Sequence, residues 1–222
     1  MFRQIYNALA SRTTVDKAFL DLTEMLDHCA WMFVRANEVV HSTVPPEEVR
    51  DAIYARDRAI NELERSIRRK VVRYLTVHPG YDVAVCLALW NVAKDAERIG
   101  DYCKNLFEVG EFYTEGFRVA KYRDPLGDVA RQIGDMFSMV SKGCRDFDEA
   151  QANQALALGR GIRHECDSLI QELFQDEAHM ELHEAIAYSL LLRYYKRVSG
   201  HLANIATAVV GSLEDMDFEA VD

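Results

Sequence analysis

The sequence predicts an all-α protein built as two tandem repeats of a three-helix bundle, six helices in all. Three observations carry that expectation. Only eleven Gly and four Pro occur in 222 residues, and Pro45, Pro46, Pro79 and Pro125 fall between long runs of helix-forming residues, where helices tolerate them. Apolar residues return at spacings of three and four along most of the chain, the period of a helix with one buried face. A phrase at residues 91–105 comes back in altered form ninety-nine residues later.

In chain order, residues 1–14 carry a short amphipathic stripe of Phe2, Ile5, Tyr6 and Leu9, expected to dock on the body of the protein rather than in a membrane. A first helix runs from about 15 to 42. Pro45-Pro46-Glu47-Glu48 opens a second, about 46–76, with prolines and acids where a helix start favours them. Its stripe is Ile53, Ile60, Leu63, Ile67, Val71 and Tyr74. His78-Pro79-Gly80 breaks the chain, and Asp82 is placed to cap a third helix over about 82–110. There Val85, Leu89, Val92, Ala96, Ile99, Cys103 and Leu106 form a seam of period 3.5. Residues 111–124 join the halves. A fourth helix starts at Pro125 and runs to about 147. A fifth covers about 149–175 with Leu158, Ile162, Leu169, Ile170 and Leu173 as its stripe. A sixth, about 178–211, repeats the seam with Tyr188, Leu191, Tyr195, Val198, Leu202 and Ile205. Short turns within each half favour antiparallel neighbours. The expected units are therefore the N-terminal segment 1–14, a first repeat 15–112, a second 124–212, and an acidic tail 213–222.

The formal charge of −10 argues against a nucleic acid or an anionic lipid surface as partner, since either is repelled at long range. Arg65, Arg68, Arg69, Lys70 and Arg73 are a local exception, read as a solvated helix face. Cys29, Cys86, Cys103, Cys144 and Cys166 are odd in number, widely spaced and without a Cys-x-x-Cys pair, as expected of small core residues in a reducing compartment. No apolar run reaches the roughly 18 residues a spanning helix needs. A cytoplasmic location is expected.

The repeated phrase holds the candidate chemistry. Glu97 and Asp101 stand one turn apart, about 40° around the helix from each other and away from the seam. Two like charges at that spacing cost about 0.2–0.5 kcal/mol unless something positive offsets them. A divalent cation would do so, because carboxylates are hard oxygen ligands, and Gly100 beside the pair would leave room. Pairing with Lys94, Arg98 or Lys104 would do so equally, leaving an ordinary solvated face. Asp57, Asn61 and Glu64 share a face of the second helix in the same way.

Other constellations lead nowhere. Glu38-Val39-Val40-His41 is a Glu-x-x-His unit without the second copy a bundle di-iron site requires. His179 and His183 lack the Glu that follows the first His of a zinc-protease helix. No phosphate-binding glycine loop, nucleophile elbow or nucleophile with an assignable base occurs, so no enzyme is expected.

Ala96-Glu97-Arg98-Ile99-Gly100-Asp101-Tyr102-Cys103-Lys104-Asn105 resembles the PhoU family, regulators of phosphate uptake whose phrase runs close to Leu-Glu-Arg-Ile-Gly-Asp-His-Ala-x-Asn-Ile. In the copy, Arg197, Val198 and Asn204 match Arg98, Ile99 and Asn105, while Lys196 and Gly200 replace Glu97 and Asp101. The resemblance implies a PhoU-like six-helix bundle and a cytoplasmic adaptor that negatively regulates phosphate uptake and phosphate-starvation signalling. Implied partners are the phosphate-transporter ATPase subunit, a sensor histidine kinase and a second copy in a homodimer. Since some members hold multinuclear iron or zinc clusters on this surface, it also implies metal at Asp57, Asn61, Glu97 and Asp101, with Asn61 where the family has an acid. The matching second-half positions, Arg163, Asp167, Lys196 and Gly200, include two cations and do not suit a metal. Arg163, Lys196 and Arg197 are candidates for a partner-binding surface instead. A metal-binding or storage bundle, or an accessory regulator of another anion transporter, are the alternatives.

Overall fold

The computed structural model describes residues 13–175 and 180–211. The stripe at Phe2, Ile5, Tyr6 and Leu9, nearly all of segment 1–14, His179, and the tail 213–222 lie outside them. The described residues form six α-helices and no strand: α1 Thr13–Val40, α2 Pro46–Val77, α3 Val83–Phe112, α4 Ala120–Asp146, α5 Glu149–Gln175 and α6 Leu182–Val210.

Each helix buries the stripe its sequence marks. Every member of the α3 and α6 seams is essentially inaccessible. On α2, Ile53, Ile60, Ile67, Val71 and Tyr74 are buried and Leu63 is half-buried; on α5, Ile162 and Leu169 are buried, with Leu158, Ile170 and Leu173 packed at the edge. Full burial of one such aliphatic side chain is worth about 1.5–3 kcal/mol. The helices are therefore held by packing more than by propensity.

Helices α1, α2 and α3 pack on one another, and so do α4, α5 and α6; α3 against α6 and α1 against α4 join the triplets into one core. Asp95 of α3 meets His201 and Asn204 of α6, and Tyr102 faces Tyr194, so these central helices run antiparallel. The ninety-nine-residue offset holds in space as well. Inward and outward positions of α3 and α6 alternate in nearly the same order. Even the exposed apolar residues coincide, Val83 with Leu182 and Leu87 with Ile186.

Two helix starts and one cap differ from expectation. Helix α4 begins at Ala120, leaving Pro125 inside it. The proline costs the bond its N–H would have made to the Lys121 carbonyl, and burial of Tyr122 edge-on against Tyr188 anchors the extra turn. Helix α6 begins at Leu182 rather than near 178. Asp82 does occupy the N-cap position of α3 but caps nothing with its side chain; in a left-handed conformation, it turns its carboxylate to accept a hydrogen bond from the Tyr74 hydroxyl. By contrast, α2 starts as the sequence requires, with Pro46 in the first turn and Glu47 and Glu48 beside it.

Candidate functional site

Helices α2 and α3 lie side by side, and their facing edges carry a ladder of polar contacts. At one end Arg50 pairs with Glu111, and Tyr54 donates to Glu108 at 3.1 Å. At the other, the Arg68 guanidinium lies 5.1 Å from the Trp90 ring centre and pairs with the buried Glu64 at 2.6 Å. The acidic residues singled out by spacing sit between.

Asp57 and Asp101 come together there, but on a lysine. The Lys104 ammonium donates to Asp57 Oδ1 at 2.9 Å and to Asp101 Oδ1 at 3.2 Å. These are half-buried contacts, with side-chain exposures of 23% for Lys104 and 14% for Asp57. Asn61 turns its amide inward along its own helix and donates to the Asp57 carbonyl at 3.0 Å. Arg98 flanks the acids, 3.5 Å from Asp101 and 3.7 Å from Glu97. Glu97 is only 19% exposed, less than an outward face implies. Burial pushes its carboxyl above the usual range, and the negative charge of Asp101, with that of Glu64 and Asp57, adds to the effect against the opposing pull of Arg98. On Lys104, burial disfavours the charged form, but its bonds to Asp57 and Asp101 outweigh burial and the ammonium is held above its ordinary value. Among the described residues no group of three or more His, Cys, Asp or Glu is arranged to hold a metal ion.

Gly100 does leave room, though for a different neighbour. A Cβ there would stand 2.9 Å from Ile60 Cδ1, so the glycine admits the core of α2 rather than a ligand on the surface.

In the second repeat, Lys196 reaches both carboxylate oxygens of Asp167 at 2.6 Å. Arg197 is exposed, whereas Arg163 is half-buried and has an interaction of its own. The three cations thus share a region without forming an uncommitted basic patch. Of the α2 cations, Arg65, Arg69 and Arg73 are exposed as a solvated face, whereas Arg68 and Lys70 are half-buried, Lys70 pairing with Asp21 of α1. Glu38 pairs with Arg35, and His183 is exposed at the start of α6.

Two polar residues between the repeats escaped sequence reasoning. Asp95, 4% exposed, accepts from Asn204 at 3.1 Å and lies 2.7 Å from His201 Nδ1, while the His201 ring stacks on Tyr102. Glu184, equally buried, accepts the backbone N–H of Arg118 at 2.9 Å and so ties the linker to α6. A signal existed in both cases. Asp95 falls three after Val92 and four before Ile99, and Glu184 falls where Val85 stands in the first repeat, so both acids lie on an apolar side.

The PhoU domain model matches residues 22–109, which span all of α2 and most of α1 and α3. No curated protein matches the chain. Among solved structures, PhoU from Pseudomonas aeruginosa superposes with a TM-score of 0.70 at 18% identity, covering 94% of this chain and 97% of its own. The phosphate transport system regulatory protein PhoU from Streptococcus pneumoniae gives 0.72 at 16% identity, covering 94% and 99%. At these identities the likeness shows the fold.

Proposed function

From a chain whose residues 22–109 match the PhoU domain model and whose six helices share the fold of the two PhoU structures, we propose a regulator of phosphate transport that acts through protein contacts. The observation that carries this reading is the domain match, because it falls on the repeat that keeps the acidic phrase. Asp57 and Asp101 share the Lys104 ammonium and Arg98 lies beside Asp101 and Glu97, a mixed-charge surface that suits recognition more than chemistry. Its direction is negative: the protein restrains uptake and starvation signalling when phosphate is plentiful. The partners this reading calls for are a transporter ATPase subunit and a sensor kinase, with a second copy of the chain as a third contact. A metal on Asp57, Asn61, Glu97 and Asp101 would be an addition to this reading rather than its support, since Lys104 already stands between two of those ligands.

The test is deletion of the gene in its own host, with phosphate uptake and a phosphate-starvation reporter measured in phosphate-rich medium. Rising uptake and a switched-on reporter are expected, with restoration by the intact gene. Unchanged uptake and reporter would end the reading. A change in transport of a different anion, with phosphate unaffected, would instead favour an accessory role beside another carrier.

A further inference from the structure

We propose that Lys104 is the resident cation of the first repeat, its ammonium doing between α2 and α3 what a bridging divalent ion would do, so that the fold needs no metal. Asp57 comes from α2 and Asp101 from α3, and Nζ lies within hydrogen-bond distance of both. An ion bridging these carboxylates would stand roughly 2.0–2.6 Å from their oxygens. That is the space the ammonium fills. A metal could enter only by expelling Lys104, and the expelled charge would remain tethered close by. The Asn61 amide group is committed to the Asp57 carbonyl, and its remaining oxygen brings no charge to favour the exchange. The lysine and its two acceptors are half-buried, where charges are screened less than on the open surface.

The second repeat pairs a lysine with an aspartate between the corresponding helices, in a more exposed setting and with one carboxylate rather than two. Lys196 of α6 grips Asp167 of α5 through both oxygens. Yet Lys196 stands at the position of Glu97, and the counterpart of Lys104 is Ala203, each ninety-nine residues on. Duplication alone does not place a lysine at two non-equivalent positions. What the repeats share is the outcome, one lysine of the third helix neutralising one aspartate of the second. An aspartate on the second helix of each repeat requires a counter-charge, and this chain supplies it covalently in both halves.

The experiment compares wild type, Lys104→Arg and Lys104→Met, using calorimetric titration with Mn²⁺ and melting temperature in EDTA and in excess Mn²⁺. Wild type and Lys104→Arg are expected to take up no Mn²⁺ and to melt at the same temperature in both buffers. Lys104→Met is expected to melt lower in EDTA and to recover on Mn²⁺, with the recovery abolished by adding Glu97→Gln and Asp101→Asn. A wild-type protein that binds Mn²⁺ stoichiometrically, or that EDTA destabilises, overturns the proposal. So does a Lys104→Met protein whose melting is unchanged in EDTA, or is lowered but unmoved by Mn²⁺. Should Lys104→Met fail to fold, wild type and Lys104→Arg still decide the matter between the two buffers. None of these readouts involves phosphate, so the regulator reading neither gains nor loses by them.

Discussion

Glu97 has like charges on two helices and one guanidinium beside it, and its carboxyl holds a proton to higher pH than an ordinary glutamate because it is desolvated and faces Asp101. The native state therefore binds that proton more tightly than the unfolded chain does. Between the unfolded value, about 4.3, and the raised native one, the contribution of Glu97 to stability falls as pH rises. Replacing Glu97 by Gln should then stabilise the protein at pH 7 by about 0.2–0.5 kcal/mol, the scale of a like-charge pair one turn apart. The gain should vanish well below the unfolded value, where the carboxyl is protonated in both states, and thermal melts from there to pH 7 check the sign. The cysteines give a second residue-scale test. All are buried, and burial pushes Cys86 up to about 11, Cys144 and Cys166 to about 12, and Cys29 and Cys103 upward as well. With so little thiolate and no access, none of the five should react with a thiol reagent until denaturant is added. Their character as core residues was legible from spacing. The neighbour of Asp101 was legible only as a choice, since Lys94, Arg98 and Lys104 all lie within a turn or so of the acids and side-chain direction alone decides among them.

At the scale of the element, glycines of α3 and α6 separate packing from propensity. A Cβ on Gly110 would stand 2.9 Å from the backbone nitrogen of Val40, whereas one on Gly200 would meet nothing within 4 Å. Gly110→Ala should therefore destabilise by about 1–3 kcal/mol through a clash the backbone of α1 must absorb. Gly200→Ala should stabilise by roughly 0.5–1 kcal/mol from helix propensity. Urea unfolding of the two variants checks both signs. Asp95 ties α3 to α6. Asp95→Ala would remove the buried carboxylate that the half-buried Asn204 amide and His201 ring share and should cost about 1–3 kcal/mol, read from the same titrations.

For the whole molecule, α3 against α6 and α1 against α4 make one core of two repeats. Both tryptophans, Trp31 and Trp90, belong to the first repeat, so fluorescence reports that repeat while circular dichroism reports both. Coincident thermal transitions by the two probes are expected; an earlier loss of helix than of fluorescence would show that the repeats unfold apart. The sequence by itself determined the number of helices, the faces they bury and the duplication, because a period of 3.6 residues and the placement of proline act locally. It also marked Glu97, Asp101 and Asp57 as charges in need of a partner. Only the tertiary structure decided what that partner is. The distance from Lys104 to Asp57 depends on how α2 lies along α3, and forty-seven residues of chain separate the two side chains. The same holds for Asp95 and His201, for the α4 turn that Tyr122 anchors, and for Gly100, whose missing side chain serves Ile60. Each is settled by which helix edges meet, and that is fixed by packing between residues far apart in sequence.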